Sequence, residues 1–505
     1  VNGATADFTK REEPIGNLGA LQRIAIRIPP AAPGATVTAT VDYKLNVKDN
    51  SGLATLSPIG SIFLPLSYWY PTPNSWYFAR GADYSAFQIK VNSSGGQSVV
   101  SSGTEANGGF NLAANGQPFF LTGSWDAINS SGVTVLAPKG VVGDAKARAD
   151  DVARFAADAK AFMTTLLGPA PDTPLRVVAT RRGAGYDQAG TILIDEGVFR
   201  RAKIDSLTAM NIAEGVAKVW IGGSVAVAGD GQGAIREGLP RFLATEFIEA
   251  KFGKDVADVE RTRQRNAYAS VARRDTPLSS VSPLDDFYFA EVANKGAMAW
   301  RLLDRKIGRN DLFANLQAAM KDGRLDLLEL RAAFASQKEL LDYMFDQVTD
   351  MNLMIGLPLP SGAETKVNLR NAGSVDATVV IEATTATGEK LKADSTIRAT
   401  SYGEVTFKTS AKITRVEVDV DKLYPQTDYS DDVAPKEFGD SDPLLAVKRL
   451  FDKQDWAGAE SAARKVLNRY PRYDEVRTLL ARSLLSQNRT ADAANEFRAM
   501  LDERL

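Results

Sequence analysis

The 505-residue chain contains no cysteine and no histidine. Without cysteine there is no disulfide, thiolate nucleophile, iron–sulfur ligand or cysteine zinc site, and the redox compartment is left open. Without histidine, the commonest neutral metal ligand and general base are both missing. Long apolar runs are scarce as well. No segment reaches the 18 residues that suggest a membrane-spanning helix, and Val1 to Arg11 lack the basic start and apolar stretch of a secretory signal. A chain that opens at Val1 and not at Met fits a mature or trimmed product, and together with the absent cysteines this favours bacterial export to a periplasm or cell surface over the cytoplasm. An excess of one charge is also lacking. The 60 Lys and Arg stand against 62 Asp and Glu, so no broad positive field exists to hold a nucleic acid.

What is present is 44% hydrophobic, enough for several buried cores. Residues 1–144 read as antiparallel sheet: "VTATVDYKL" (Val37–Leu45), "FQIKV" (Phe87–Val91) and "GVTVLAPKG" (Gly132–Gly140) alternate between polar turns such as "VNSSGGQS". Residues 145–357 read as α/β. "DAKARADDVARFAADAKAFMTTLL" carries apolar residues at helical spacing up to Gly168 and Pro169, the strands "LRVVAT" and "GTILID" follow, and helices are expected at about 206–221, 236–252, 285–303, 309–320 and 325–350. Residues 358–435 hold four strand candidates, "TKVNLRNAG", "DATVVIEAT", "YGEVTFKTS" and "ITRVEVDV", enough for a small β-sandwich. "YPQTDYSDDVAPKEFGDSDP" (Tyr424–Pro443) reads as a linker or strapped connection. In residues 436–505 "WAGAESAARKVL" at Trp456 aligns with "TADAANEFRAML" at Thr490, an offset of 34 that matches paired-helix tetratricopeptide repeats. Two such units need neighbours to bury their faces, so this end is expected to pack on another domain, a partner or further chain. The fold class is therefore multidomain α+β with a C-terminal α-helical repeat.

The most informative stretch is "MNIAEGVAKVWIGGSVAVAGDGQGAIREGLPRFLATEF" (Met210–Phe247). It resembles the M1 aminopeptidase family, in which a helix carries His-Glu-x-x-His followed by x-Trp-x-Gly. In that family a third zinc ligand, Glu, follows after eighteen intervening residues in Asn-Glu-Gly. Aligned on Trp220 and Gly222, the first ligand position holds Glu214, the general-base position Gly215, the second ligand position Lys218 and the third Glu237. "LPLSYWYP" (Leu64–Pro71) is similar to the family's Trp-Tyr-Pro segment, and "GAGYDQAG" (Gly183–Gly190) faintly echoes its amine-binding Gly-x-Met-Glu-Asn strand, with Asp187 at the Glu position. The family's Tyr-x-Lys-Gly appears as Ala293-Asn294-Lys295-Gly296, so the oxyanion-stabilising phenol is missing at Ala293. The resemblance implies a thermolysin-like (gluzincin) α/β domain that has lost its zinc motif, with no cofactor.

Residues four apart share a helix face, so Glu214 and Lys218 can meet, and Glu237 can approach from the next helix. Lys218 is expected to replace the zinc charge in a triad with both glutamates. The alternative is a set of exposed side chains that contribute little. The functional reading is a non-catalytic scaffold for protein or peptide binding or assembly, with no catalytic residue and no metal. Asp187 and Glu214 are candidates to attract a peptide N-terminus, with "GTILID" pairing to the peptide backbone. A residual or altered hydrolase using Glu214, Glu237 and Asp187 as carboxylate acid, base or metal ligands is the enzyme alternative. The aromatic group Tyr68, Trp69, Tyr70, Trp76, Tyr77 and Phe78 reads as a sheet-covering cluster before a ligand platform. "AGDGQG" (Ala228–Gly233) reads as a flexible connection between the motif helices.

Overall fold

The computed structural model describes residues 1–15, 20–47, 49–93, 96–436 and 442–502. The centre of the expected linker, 437–441, and residues 94–95 of the "VNSSGGQS" turn lie outside the described residues.

The N-terminal part is antiparallel throughout. A hairpin pairs Phe8–Pro14 with Ala20–Ile26, and two further sheets hold four and three short strands between Ala54 and Gly123. Phe87–Val91 is realised as the strand Ser85–Ile89, whereas Val37–Leu45 forms no strand. Alternation specifies a half-buried face only when a neighbouring strand supplies the hydrogen-bond ladder. Among the described residues no strand pairs with 37–45, and Tyr43 and Leu45 stay exposed.

Trp125–Ser130 and Val133–Pro138 form a hairpin, and the second strand runs parallel to Arg176–Thr180, which runs parallel to Thr191–Asp195, with Asp187–Gln188 antiparallel at the edge. The strand within 132–140, grouped by sequence with the N-terminal sheets, thus belongs to the central sheet, which begins upstream of residue 144. Its strands Arg176–Thr180 and Thr191–Asp195 are buried on both faces. Val178 and Leu193 meet Ile62, Leu64, Phe119 and Leu121 of the N-terminal part, while Val177, Ile192 and Ile194 meet the helices. The crossover helix Asp144–Leu167 lays Val152, Phe155, Ala156, Ala159 and Met163 on that core and stops at Gly168, whose φ is +89°.

The helices Ser206–Ala217, Leu239–Phe252, Lys254–Ala269, Gly296–Ile307, Arg309–Ala319, Leu327–Ala333 and Lys338–Asp346 complete this layer. Lys254–Ala269 escaped the sequence reading because its buried face is largely polar: Glu260, Thr262, Gln264 and Arg265 accompany Val256, Val259 and Tyr268, which blurs the apolar period. The helix expected over 285–303 instead starts as a π-helical turn, Ala290–Lys295. Beyond it lies a β-sandwich of two four-stranded sheets. This adds the strand Lys390–Ile397, whose exposed positions are Lys390, Lys392, Asp394 and Thr396.

Residues 424–436 are strapped down and not loose. Gln426 donates to Asp432 at 3.1 Å, Lys422 binds Asp432 at 2.6 Å, and Tyr424 and Gln426 are buried. The C-terminal helices Pro443–Asp452, Trp456–Arg469, Asp474–Ser486 and Thr490–Asp502 stack consecutively, with Ala459, Ala463 and Ala493 buried at their contacts. Val447, Val466, Tyr473 and Val476 share one apolar cluster with Val259, so the repeat packs on the Lys254–Ala269 helix. Among the described residues no helix is long and apolar enough to cross a membrane.

Candidate functional site

The Ser206–Ala217 helix is started by Asp205, whose carboxylate accepts from the Thr208 backbone N–H at 2.9 Å, and its last two turns are buried. Lys218 is its C-cap. From there the Lys218 Nζ reaches Glu237 Oε2 at 2.7 Å and Asp187 Oδ1 at 3.1 Å. Asp187 comes from the edge of the central sheet, and Glu237 from the π-helical turn Ala234–Gly238 that leads into Leu239–Phe252. The side chains of Asp187, Glu237 and Lys218 are 5, 13 and 14% exposed.

The ion triad is therefore Lys218, Glu237 and Asp187. Glu214 is not its third member. It pairs bidentately with Arg241, Nε to Oε1 at 2.8 Å and Nη2 to Oε2 at 3.1 Å, while Arg241 Nη1 donates to Asn294 Oδ1 at 2.8 Å. The planar guanidinium fork matches a carboxylate better than an ammonium does, and the helix that carries Glu237 also supplies it. Burial pushes the Asp187 carboxyl up to about 6. Lys218 opposes that rise, and Glu237 and Glu214 add to it. Burial alone would lower Lys218, but Asp187, Glu237 and Glu214 outweigh it and hold the ammonium above its ordinary value.

Gly215, expected from sequence at the general-base position, is a point of closure. A Cβ there would lie 2.6 Å from Ile192 Cγ1 and 3.0 Å from Asp187 Cβ, so the helix rests on the sheet where a glutamate would have to project. Gly238 has a related role, since its Cβ would meet the Val292 carbonyl oxygen at 2.7 Å and Gly296 backbone at 2.9 Å. The two π-helical turns thus cross backbone to backbone, which accounts for glycine in both Glu237-Gly238 and Lys295-Gly296. Ala293 is buried in the second turn, and Lys295 pairs with Asp275 at 2.6 Å. Arg236 is fixed by the carbonyls of Val227 at 2.8 Å and Gly222 at 3.3 Å, with its guanidinium 3.5 Å from the Tyr84 ring centre. Trp220 is core, and its Nε1 donates to the Pro169 carbonyl at 3.1 Å.

The motif positions did not point to Arg241, Asn294, Tyr84 or Tyr288. Tyr288 is buried with its phenol oxygen beside Gly233, where a Cβ would lie 2.9 Å from it, and burial together with the charge on Glu237 pushes that phenol well above its usual range. The aromatic pair Tyr288–Phe289 just before the motif was the available signal.

Three sequence expectations change here. Asp187 and Glu214 are both bound in ion pairs and nearly closed off, so neither is free to meet a peptide N-terminus. "GTILID" is not an open edge: Arg176–Thr180 flanks it on one side, and on the other Asp187–Gln188 and the Leu193 N–H to Tyr186 carbonyl bond at 2.8 Å occupy its backbone. The 228–233 connection is pinned by Gly229 N–H to the Arg80 carbonyl and Gly231 N–H to the Ser279 carbonyl, both at 2.9 Å. Of the aromatic group, Trp69 packs between Phe63, Tyr70 and Phe120, and Tyr68 meets Phe78, whereas Trp76 and Tyr77 are exposed.

The donor set does not fit a zinc ion. Among the described residues no group of three or more Asp, Glu, His or Cys is arranged to hold a metal, and the Lys218 ammonium stands between the two carboxylates that approach each other. An Asp187 carboxyl tied to that ammonium is equally poorly placed to exchange a proton with a bound molecule.

No family model matches the chain, and no curated protein matches it in sequence. Its fold is similar to two solved structures. One is aminopeptidase A of Legionella pneumophila in complex with aspartic acid, at TM-score 0.50 and 14% identity, covering 84% of this chain and 57% of that one. The other is yeast LTA4 hydrolase in complex with bestatin, at TM-score 0.50 and 14% identity, covering 71% and 61%. The chain thus spans less than two thirds of either protein's length. At this identity the likeness establishes the fold, a distant M1 zinc-aminopeptidase-like one.

Proposed function

We propose that this chain is a non-catalytic, degenerate M1 aminopeptidase-like scaffold, exported to a periplasm or cell surface, that binds or assembles with a protein or peptide partner. The observation that carries the reading is the Lys218 ammonium seated between Asp187 and Glu237. One permanent monovalent charge is shared by the two carboxylates, offers no open coordination position and activates no water, so the requirements of metal-assisted hydrolysis are not met. Gly215 and Ala293, at the base and phenol positions, support the same reading. With both cleft carboxylates committed, partner binding falls to other surfaces, among them the tetratricopeptide-like helices, an argument by analogy of fold.

Metal analysis of untagged protein, with hydrolysis of aminoacyl reporter substrates, tests this. Zinc well below one per chain and no turnover are expected. One bound zinc per chain, or turnover abolished by Glu237→Gln, would refute the proposal.

A further inference from the structure

A cavity of about 740 Å³ opens where the β-sandwich, the Lys254–Ala269 helix and the C-terminal helices meet, far along the chain from the Lys218 cluster. Junctions of this kind commonly hold small molecules, and the volume is within the usual range. Nine basic side chains line it against four acidic ones. The acids are already committed: Glu417 binds Arg415 at 2.8 Å and Lys422 at 3.1 Å as well as Arg469, Glu382 binds Lys390 at 3.0 Å, Asp258 binds Arg261 at 3.0 Å, and Asp421 binds Arg305 at 3.3 Å.

Arg265 is different. It lines the cavity and is 5% exposed, its Nε has no acceptor, and among the described residues no carboxylate pairs with it. Its guanidinium rests 5.3 Å from the Tyr429 ring centre. Asp432, whose carboxyl feels its charge, is held by Lys422 and Gln426. A buried cation without an ion-pair partner of its own is under-compensated, and an anion entering the cavity offsets that cost. The local field agrees. Burial would raise the Tyr470 phenol, yet Arg469, Arg265 and a hydrogen bond with Thr262 together outweigh it and hold it below its ordinary value.

We propose that this cavity binds a compact multivalent anion, carrying phosphate or clustered carboxylate groups, with Arg265 as the buried anchor and the surrounding lysines and arginines neutralising the remaining charge. Occupancy would tie the sandwich, the central helices and the repeat together.

Calorimetric titration of the full chain at low salt with pyrophosphate and, separately, with citrate tests this. Saturable binding of at least one anion is expected, weakened about tenfold or more by Arg265→Gln. Preference for pyrophosphate assigns a phosphate ligand and preference for citrate a carboxylate one. Without anion, Arg265→Gln should melt at or above the wild-type temperature, because it removes an unpaired buried charge. Lys392→Gln, at a side chain 60% exposed, should weaken binding without affecting the fold. No binding of either anion at millimolar concentration, binding unchanged in both variants, or an Arg265→Gln protein that melts lower or fails to fold would each overturn the proposal.

Discussion

Lys218 is one positive charge shared by two carboxylates, and each residue of that trio depends on the other two. In Lys218→Met, Asp187 and Glu237 would be left as like charges in a nearly closed site, and breaking a buried ion pair from one side costs about 3–5 kcal/mol. Urea denaturation at neutral pH should show a loss of that size, shrinking as the pH is lowered and the carboxylates take up protons. A loss under about 1 kcal/mol would mean that the trio is solvated. The sign for Asp187 follows from its upward shift. Between its ordinary value of 3.8 and about 6 the folded protein holds a proton that the unfolded chain has released, so this group makes stability decline as pH rises through that interval. Asp187→Asn should flatten the decline, and an unchanged stability profile would count against it. Lys218 is shifted upward as well, so its contribution is complete at neutral pH and is lost only in strong alkali.

The elements around this site are fixed by close approach. The Ser206–Ala217 helix lies on Ile192 at Gly215, and the two π-helical turns touch at Gly238 and Gly296. Read from sequence, Glu214→His, Gly215→Glu and Lys218→His together restore the zinc helix and should restore metal affinity. The geometry reverses that expectation, since a side chain at 215 strikes Ile192 and removal of Glu214 strands Arg241. The triple variant should bind less than one zinc per chain and melt below wild type, with Ile192→Ala recovering part of the loss. Metal analysis and thermal melting check both, and a triple variant as stable as wild type would show that the helix has room to move. The helix that sequence missed, Lys254–Ala269, bears on the same point. Its buried polar residues are satisfied within the helix, as Thr262 is by the Asp258 carbonyl at 2.8 Å, or by the preceding helix, as Gln264 is by Thr245 at 2.8 Å, so no apolar period announces them.

For the whole molecule, the repeat is joined to the central layer by Val259 in its apolar cluster and by ion pairs from Arg263 to Glu475 at 2.6 Å and Lys203 to Asp474 at 3.4 Å. Val259→Asp places an unpaired carboxylate in that seam and should release the repeat. Hydrogen exchange should then speed up across the helices of 443–502 while the strands Arg176–Thr180 and Thr191–Asp195 stay protected, and unchanged exchange would refute the coupling. The sequence alone determined what depends on local pattern or on residue identity. It carried the Asp144–Leu167 helix with its glycine stop, the strands "LRVVAT" and "GTILID", the order of layers, the 34-residue offset between the C-terminal segments, and the lack of any histidine. The tertiary structure alone decided which charges meet. Glu214 and Lys218 share a helix, yet a guanidinium from one neighbouring element takes the first, and a carboxylate from the sheet edge takes the second. Ion pairing depends on a few ångströms between segments distant in the chain, which residue spacing along a single helix does not encode.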